Sequence, residues 1–249
     1  MYLKVYMSLK INNKIKTIKN KIIINRNNKD IKDFFPTTNI KTNKLQISNI
    51  GRYSVSHPKD ALTTANIIAS YFKTKNITIT DATANNGGNT IAFAKTFKKV
   101  QSVEIDKTEY DILVNNLKVY GITNVDTLNE DYTKIMLTLK QDVVFMDPPW
   151  GGPSYKKKKL LKLKLGHHFI EALINKLKDK SKLIVLKVPF NYDFSYLFKY
   201  SKYTNKFHIY KFKKYVVIVL LNRDLNNSGL TQYTNLNKKQ NKSTVNKES

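Results

Sequence analysis

Cysteine is missing from this chain of 249 residues, and tryptophan, proline, glycine and acidic residues are scarce. The lack of cysteine excludes disulfides, thiolate metal sites and a cysteine nucleophile, and it fits a reducing compartment. The longest aliphatic run, YVVIVLL, is far too short to span a membrane, and lysines interrupt the apolar clusters near the N-terminus. We therefore expect an intracellular protein, of the nucleus or the cytoplasm, that is neither secreted nor bound in a membrane.

The shortage of acid leaves a strong excess of positive charge. Lysine and arginine number 44 against 18 aspartate and glutamate residues, a net charge of +26. Such a charge attracts polyanions through counterion release, and nucleic acid is the usual partner. Codon bias in an AT-rich genome is the alternative explanation, because it also enriches lysine, asparagine, isoleucine and tyrosine. An anionic membrane surface lacks a supporting amphipathic anchor.

Composition divides the chain into three parts. Residues 1–50, rich in lysine, asparagine and isoleucine, are expected to form a basic N-terminal arm or a small helical subdomain. Residues 51–222 are of the size of one catalytic domain. Residues 223–249 have too little apolar surface to offset the entropy of ordering, so we predict a disordered polar tail.

Helical and strand patterns alternate through the middle part. Predicted strands are NITIT, VQSVEI, NVDTLNED, QDVVFMD and SKLIVLKVP, and KFHIYKFKKYVVIVLLN closes the domain as a hairpin. Predicted helices are SHPKDALTTANIIASYF with a Ser–Pro start signal, NTIAFAKTF, KTEYDILVNNLKVYG capped by Gly121, and one around HHFIEALINKLKD. The order predicts an α/β fold: a mostly parallel sheet with helices on both faces and an antiparallel strand near the C-terminal edge.

Four acids fall at or just after predicted strand ends: Asp81, Glu104, Asp131 and Asp147. Ligands of open parallel sheets bind beyond these ends. The loop ANNGG has neither dinucleotide-binding nor P-loop spacing, so no phosphate cradle is evident. Glu104 suits the hydroxyls of a ribose and Asp131 an adenine amino group, which together predict S-adenosylmethionine as cofactor. The alternatives are that a strand-end aspartate caps the next helix and that Glu104 is a solvated acid near Lys107.

The stretch DPPWGGPSY holds the only tryptophan of the chain. Methyl transfer to an exocyclic amine is helped by acceptors that draw the amine hydrogens and stabilise the developing positive charge. The carboxylate of Asp147 and the carbonyl of Pro148 are such acceptors, and the Pro-Pro pair holds that carbonyl rigidly. Trp150 supplies a flat face for a base. Packing alone is the competing explanation for this tryptophan.

Over residues 50 to 190 the chain resembles the trimethylguanosine synthase family of class I S-adenosylmethionine-dependent methyltransferases. The resemblance rests on DPPWGGPSY, DATANNGGNTIAFA, VEID, NNLKVYG and YSVSHP. It implies a Rossmann-like seven-stranded fold, transfer to the N2 amine of a 7-methylguanosine RNA cap, capped RNA as partner, and no metal. By the same resemblance the catalytic residues are Asp147, Pro148 and Trp150, and the cofactor is bound by Asp81, Ala82, Asn85, Gly87, Glu104, Asp131 and Asp147. The cap is bound by Trp150, Asn116, Ser54, Ser56, Pro149, Lys156 and Lys187.

Three departures from the family pattern keep other functions open. The family usually has serine where this chain has Asp147, and aspartate is typical of adenine N6-methyltransferases acting on DNA or RNA. Asn85 replaces a glycine, and Phe190 stands where relatives place an arginine for the triphosphate, a task that Lys187 or the cluster Lys156 to Lys159 would take over. Asn85 and Phe190 also suggest a catalytically degenerate RNA-binding protein. His167 and His168 lack carboxylate partners at ligand spacing, so we expect no metal site.

Overall fold

A β-sheet with helices on both faces forms the body of the protein. The computed structural model describes residues 23–24, 31, 33–36, 40–202 and 207–221. Strands are β1 (Ile23–Ile24), β2 (Gln46–Ile47), β3 (Thr78–Asp81), β4 (Lys99–Val103), β5 (Val125–Leu128), β6 (Val143–Met146), β7 (Lys164–Leu165), β8 (His168–Phe169), β9 (Leu183–Pro189), β10 (Phe207–Lys211) and β11 (Tyr215–Leu221). Helices are α1 (Gly51–Ser54), α2 (Pro58–Ala69), α3 (Gly88–Thr96), α4 (Lys107–Val119), α5 (Tyr132–Ile135), α6 (Ile170–Leu177) and α7 (Phe194–Tyr200). Among these described helices, none has the length and apolarity needed to cross a bilayer.

The main sheet has seven strands in the spatial order β10-β11-β9-β6-β3-β4-β5. Strands β3, β4, β5, β6 and β9 pair in parallel, whereas β11 runs antiparallel between β9 and β10. The predicted fold class is confirmed, including the antiparallel strand near the C-terminal edge. The chain order reverses between β3 and β6, and in open sheets a ligand lies beyond the strand ends at such a switch point.

Side chains of the central strands alternate between two apolar layers. Val143 and Phe145 of β6 pack with α2 and α3 on one face, while Val144 and Met146 pack with α6 and α7 on the other. β6 and β9 are buried along their whole length, as expected of parallel strands covered on both sides. This core therefore holds the carboxyl ends of β3 and β6 firmly in place.

Helix α4 begins and ends as its sequence predicts. Asp106 is the N-cap, and its carboxylate accepts hydrogen bonds from the amides of Thr108 and Glu109 at 2.8 and 3.1 Å. Gly121 follows the helix with φ of 64°, and the amide of Ile122 bonds back to the carbonyl of Leu117 at 3.1 Å. The predicted cap at Gly121 is thus confirmed.

Two helix starts differ from the prediction. The N-cap of α2 is His57, whose Nδ1 accepts from the amide of Lys59 at 3.3 Å, so Ser56 is not the cap. The helix expected around HHFIEALINKLKD begins only at Ile170. Before it, β7 and β8 form a hairpin whose turn uses the positive φ of Gly166, 57°.

Part of the N-terminal segment packs onto the sheet domain. Ile31, Phe35, Leu45 and Ile47 are fully buried, and they share a core cluster with residues of the loop after β3 and of helices α3 and α4. The boundary after residue 50 stays a prediction. The tail predicted for residues 223–249 lies outside the described residues, as do residues 1–22 of the expected arm.

Candidate active site

Three of the predicted acids meet at the carboxyl edge of the sheet. Asp81 ends β3, Glu104 follows β4 and Asp147 follows β6. The backbone amide of Asp147 donates to Oγ1 of Thr83 at 2.9 Å, which ties the loop after β3 to the end of β6. Because parallel strands bring their carboxyl ends together, acids far apart in the sequence converge here.

Asp81 is fully buried at the switch point. Its Oδ2 accepts a hydrogen bond from Thr90 Oγ1 at 2.7 Å, and Thr90 in turn accepts from Ser102 Oγ at 3.0 Å. Oδ1 has no hydrogen-bond partner within the described part of the chain. Burial raises the pKa of Asp81 from 3.8 to about 7, against the lowering effect of the Thr90 bond. A buried carboxyl group with one unsatisfied oxygen fits a ligand that brings positive charge or an N–H donor.

Asp81 should make the ligand-free protein less stable as the pH rises. A carboxyl whose pKa is higher in the folded than in the unfolded state stabilises the fold below the unfolded value of 3.8, and this stability is lost as the pH rises towards about 7. The free energy of unfolding of the unchanged protein should therefore fall by up to roughly 4 kcal/mol over this pH range, and Asp81→Asn should remove this fall. Calorimetric melting from pH 4 to pH 8 measures it, with the exposed Asp126→Asn as control. Parallel pH profiles of Asp81→Asn and the unchanged protein would contradict the assignment.

The loop after β3 reverses tightly before α3. Asn85 has φ of 48°, the one positive value at a non-glycine position in the described residues, and Gly87 has φ of 96°. Asparagine tolerates this left-handed conformation better than most residues, which explains how it replaces a glycine. The amide of Asn85 donates to Glu104 Oε2 at 2.8 Å, while Ala82 is buried behind the loop.

Glu104 and Asp131 are both engaged with nearby backbone amides. Glu104 Oε1 accepts from the amide of Asp106 at 2.9 Å, and burial raises the pKa of Glu104. Asp131 caps α5: its Oδ1 accepts from the amide and hydroxyl of Thr133 at 2.9 and 2.7 Å. Asp131 therefore caps a helix, as the alternative explanation of this residue expected. The described hydrogen bonds of the Asp131 carboxylate use only one of its two oxygens.

Asp147 forms a buried ion pair with Lys187 of β9. The Lys187 Nζ lies 2.6 Å from Asp147 Oδ2, with side-chain exposures of 7% and 15%. The same ammonium donates to Ser56 Oγ at 2.9 Å. Burial raises the pKa of Asp147, and the Lys187 charge partly offsets this rise. In this structure the Lys187 ammonium is paired with the predicted catalytic acid. The sequence had suggested instead that this ammonium would bind the phosphates of the cap.

Trp150 stands half-buried at the rim of this edge. Its ring makes a T-shaped contact with Tyr155 at 5.1 Å between centroids and lies 6.4 Å from Tyr215. Lys187 Nζ is 5.6 Å from the indole centroid. The indole Nε1 is buried without a hydrogen-bond partner in the described residues. Pro148 is buried and Pro149 exposed, so the rigid pair leads from the core to the surface, and the half-buried indole packs against both core clusters of the sheet.

The structure does not bring Asn116 to this edge. Asn116 is fully buried, its Nδ2 donates to the carbonyls of Gln46 and Asn86 at 2.9 and 3.0 Å, and its Oδ1 accepts from the Gln46 amide at 2.9 Å. These bonds fasten β2 to the loop after β3 and occupy the Asn116 amide in this structure, and the role of Asn116 in fixing the cap base stays a prediction. Ser54 is half-buried with its hydroxyl bonded to the Ile50 carbonyl at 2.7 Å, and Lys156 is exposed beside the Trp150 loop.

A buried polar network lies behind the glycine loop and has no signature in the sequence. Glu109 Oε2 accepts from Ser48 Oγ at 2.7 Å and from Asn86 Nδ2, and burial raises the pKa of Glu109. Asn86 Oδ1 also accepts from the amide of Ser48 at 3.1 Å. The partners lie 23 to 61 residues apart, so no local motif signals them.

Metal ligands are not clustered in this region. Across residues 23–24, 31, 33–36, 40–202 and 207–221 there is no group of three or more histidine, aspartate or glutamate side chains that could hold a metal ion. His167 is exposed in the turn between β7 and β8, and His168 is exposed in β8.

Solved structures with the same fold include the 16S rRNA N2 methyltransferase of T. thermophilus, in complex with AdoMet and guanosine. It is 16% identical, with a TM-score of 0.53, and the match covers 69% of this chain and 44% of that one. At this identity the likeness shows the fold alone. It supports the Rossmann-like methyltransferase architecture.

Sequence relatives narrow the assignment. An uncharacterized protein of Acanthamoeba polyphaga mimivirus is 42% identical over 150 residues, which cover 57% of this chain and 59% of the relative. The trimethylguanosine synthase of Schizosaccharomyces pombe is 33% identical over 168 residues, 64% of this chain and 69% of the relative. The chain thus spans only part of these relatives. A family model described as RNA cap guanine-N2 methyltransferase matches residues 76–247, well over half of the chain. The chain belongs to the RNA cap guanine-N2 methyltransferase family.

Proposed function

We propose that the protein transfers a methyl group from S-adenosylmethionine to the exocyclic N2 amine of a 7-methylguanosine cap on RNA. The observation that carries the proposal is the half-buried indole of Trp150 three residues after a largely buried carboxylate, Asp147, at the switch point of a methyltransferase sheet. An indole at such a place suits a flat, cationic purine. The neighbouring carboxylate oxygen of Asp147 can accept a hydrogen bond from the exocyclic amine of that purine.

The acids of the sheet edge fit S-adenosylmethionine. This cofactor supplies an activated methyl group on a positively charged sulfonium and carries an ammonium, a ribose and an adenine. The unsatisfied Oδ1 of Asp81 fits the positively charged part of this molecule. Glu104, beside Asn85 and Gly87, would accept the ribose hydroxyls, while the second oxygen of Asp131 would take the adenine amine.

Asp147 and Pro148 would orient the substrate amine. The described hydrogen bonds of the Asp147 carboxylate use Oδ2, held by Lys187 at 2.6 Å, which leaves Oδ1 to accept an N–H of the base. A fixed acceptor stabilises positive charge that develops on the nitrogen during transfer, at little reorganisation cost. Lys187 Nζ lies over one face of the indole ring. The cap base would therefore stack on the other face.

An adenine amine is the second candidate acceptor, and one observation favours it. Aspartate at position 147, in place of the family's usual serine, is the residue typical of adenine N6-methyltransferases. The ion pair with Lys187 reduces the difference, because a paired carboxylate carries less net charge towards the base than a free one. A direct comparison of cap and adenine substrates is therefore needed to identify the acceptor.

Transfer of label from S-adenosylmethionine tests the three functions together. The full chain is incubated with 7-methylguanosine diphosphate, unmethylated GDP and an adenine-containing oligonucleotide. We expect label on the first alone. Label only on the oligonucleotide would replace our proposal by the adenine activity, and no label on any of them would leave an RNA-binding protein on a methyltransferase fold.

Asp147→Ala should lower kcat more than it raises KM for the cap. The carboxylate is proposed to act chiefly on the charge of the transition state, so its loss should cost roughly 100-fold or more in kcat. Steady-state kinetics with 7-methylguanosine diphosphate measures both constants. Asp126→Ala, in an exposed ion pair with Lys99, is the control. A variant with changed KM and normal kcat would restrict Asp147 to substrate binding.

A further inference from the structure

The segment after the Trp150 loop presents lysines in a regular pattern. In Leu161–Lys164 the leucines are buried, at 4% and 1% exposure, while Lys162 and Lys164 are exposed. The alternation has the period of an extended chain, so both lysines project from the same side while the leucines join the core.

Aromatic rings lie beside both lysines: Lys162 contacts a ring of α7, and Lys164 Nζ lies 4.4 Å from the centroid of Phe169 in β8. Lys162 Nζ sits 4.0 Å from the centroid of Tyr196, which in turn lies 4.4 Å from the ring of Tyr200. Lys199 Nζ is 5.3 Å from the Tyr200 centroid. Tyr200 remains 47% exposed. We call this surface the lysine–tyrosine strip; it consists of Lys162, Lys164, Tyr196, Lys199, Tyr200 and Lys202.

Two acidic side chains near the strip are bonded to other groups. The carboxylate of Asp193 accepts from the amide of Tyr196 at 2.9 Å as the cap of α7. Glu171 is 2% exposed and bonded to the hydroxyl of Tyr192. Within the described residues the strip lysines take part in none of the ion pairs. The strip therefore presents charge of a single sign, which attracts an anionic partner.

The strip is continuous with the proposed cap site. Trp150 contacts Tyr155, and Asn191 Nδ2 donates to the carbonyls of Tyr155 and Lys158 at 2.9 and 2.7 Å. The amide of Leu161 then bonds to the Asn191 carbonyl at 2.8 Å. An RNA chain that leaves the indole along this segment would meet the exposed lysines 156 to 159 first and the strip next.

We propose that the lysine–tyrosine strip binds the single-stranded RNA that follows the cap, the lysines contacting phosphates and Tyr200 stacking on a base. The inference rests on the proposed function for the identity of the RNA end. Alternating cations and exposed rings are the combination by which proteins hold single strands without reading their sequence. The strip would therefore favour capped RNA over free cap nucleotide without selecting among sequences.

The test compares affinity for a 7-methylguanosine cap dinucleotide and for a capped oligonucleotide of about ten nucleotides, within the range that single-strand grooves hold. Fluorescence anisotropy with the full chain at several salt concentrations gives both affinity and salt dependence. One variant changes Lys162, Lys164, Lys199 and Lys202 to glutamine. The control variant makes the same change at Lys73, Lys75, Lys98 and Lys140, four exposed lysines near the amino ends of the strands.

The strip variant should lose roughly ten-fold or more in affinity for the capped oligonucleotide, and its slope of log affinity against log salt should flatten by about 3, since each phosphate contact on a single strand contributes roughly 0.7. Methylation of the dinucleotide should be unchanged. Tyr200→Ala should lower oligonucleotide affinity about five-fold or more with the slope nearly kept, because stacking is uncharged.

Equal losses in the strip and control variants would overturn the inference, because the effect would then reflect net charge. Normal binding of the capped oligonucleotide by the strip variant would also overturn the inference, even if the dinucleotide is methylated. Loss of binding to phosphatidylserine vesicles with RNA binding intact would assign the strip to a membrane surface instead. Failure to methylate the dinucleotide, with length-dependent RNA binding still lost in the strip variant, would overturn the proposed function alone.

Discussion

Trp150→Ala is expected to reduce methyl transfer to a 7-methylguanosine cap to background, a loss of roughly 100-fold or more, while S-adenosylmethionine affinity stays close to that of the unchanged protein. Stacking of a base on an aromatic ring contributes about 1–3 kcal/mol, and a cationic base adds about 1–2 kcal/mol. The acids proposed to hold the cofactor lie at or after the ends of β3, β4 and β5, whereas the indole follows β6. Label transfer measures the first effect and calorimetric titration the second.

Trp150→Phe is the matched control for this experiment. The indole Nε1 has no hydrogen-bond partner among the described residues, so phenylalanine removes ring area without breaking a polar contact. It should retain a measurable part of the activity. Transfer by Trp150→Ala at the rate of the unchanged protein would remove the indole from the mechanism, and an equal fall in cofactor affinity would show that the loop as a whole had collapsed.

Lys187→Met is expected to lower the free energy of unfolding by about 3–5 kcal/mol near pH 8, because it leaves the buried carboxylate of Asp147 without its counterion. The pKa of Asp147, already raised by burial, loses the lowering effect of the lysine and rises further. A raised carboxyl pKa destabilises the fold at higher pH, so the loss should shrink as the pH falls and Asp147 takes up a proton. Urea denaturation at several pH values measures it.

Two variants make the result specific to the buried pair. Lys182→Met breaks a more exposed pair, in which the side chains of Lys182 and Asp142 are 59% and 29% accessible and their charged atoms lie 3.0 Å apart; it should cost at most about 1 kcal/mol. Combining Lys187→Met with Asp147→Asn should recover most of the stability, since no charge is then buried alone, yet should leave methyl transfer lost. A Lys187→Met protein as stable as Lys182→Met would argue that the ion pair contributes little.

Local patterns predicted the secondary structure well, for reasons that act within a few residues. Gly121 ends α4 because a left-handed residue must follow that helix. The apolar run before Asp147 forms a buried strand because both faces of a central parallel strand are covered. The hairpin of β7 and β8 was missed, because KLGHHF carries both a turn glycine and a helix-like continuation, and the positive φ of Gly166 decides between them.

The candidate site was predictable to the extent that strand order brings acids together. Asp81, Glu104 and Asp147 each follow a strand of one parallel sheet, so their meeting follows from topology. The sequence could not show that the side-chain amide of Asn116 would hydrogen-bond to the backbone of Gln46 in β2, 70 positions earlier in the chain. It also could not show that Asp131 would spend one oxygen on capping α5.

What the sequence by itself determined is the order of the main-sheet strands and of the longer helices between them, the family motif around Trp150 and the overwhelming positive charge, since each depends on residues close together or on composition alone. The tertiary structure decided which polar groups pair. Lys187 reaches Asp147 from 40 residues away, and the burial that raises the pKa of Asp81 comes from the packing around it. Hydrogen bonds and desolvation act over a few ångströms in space, and distance along the chain does not reveal which side chains will come that close.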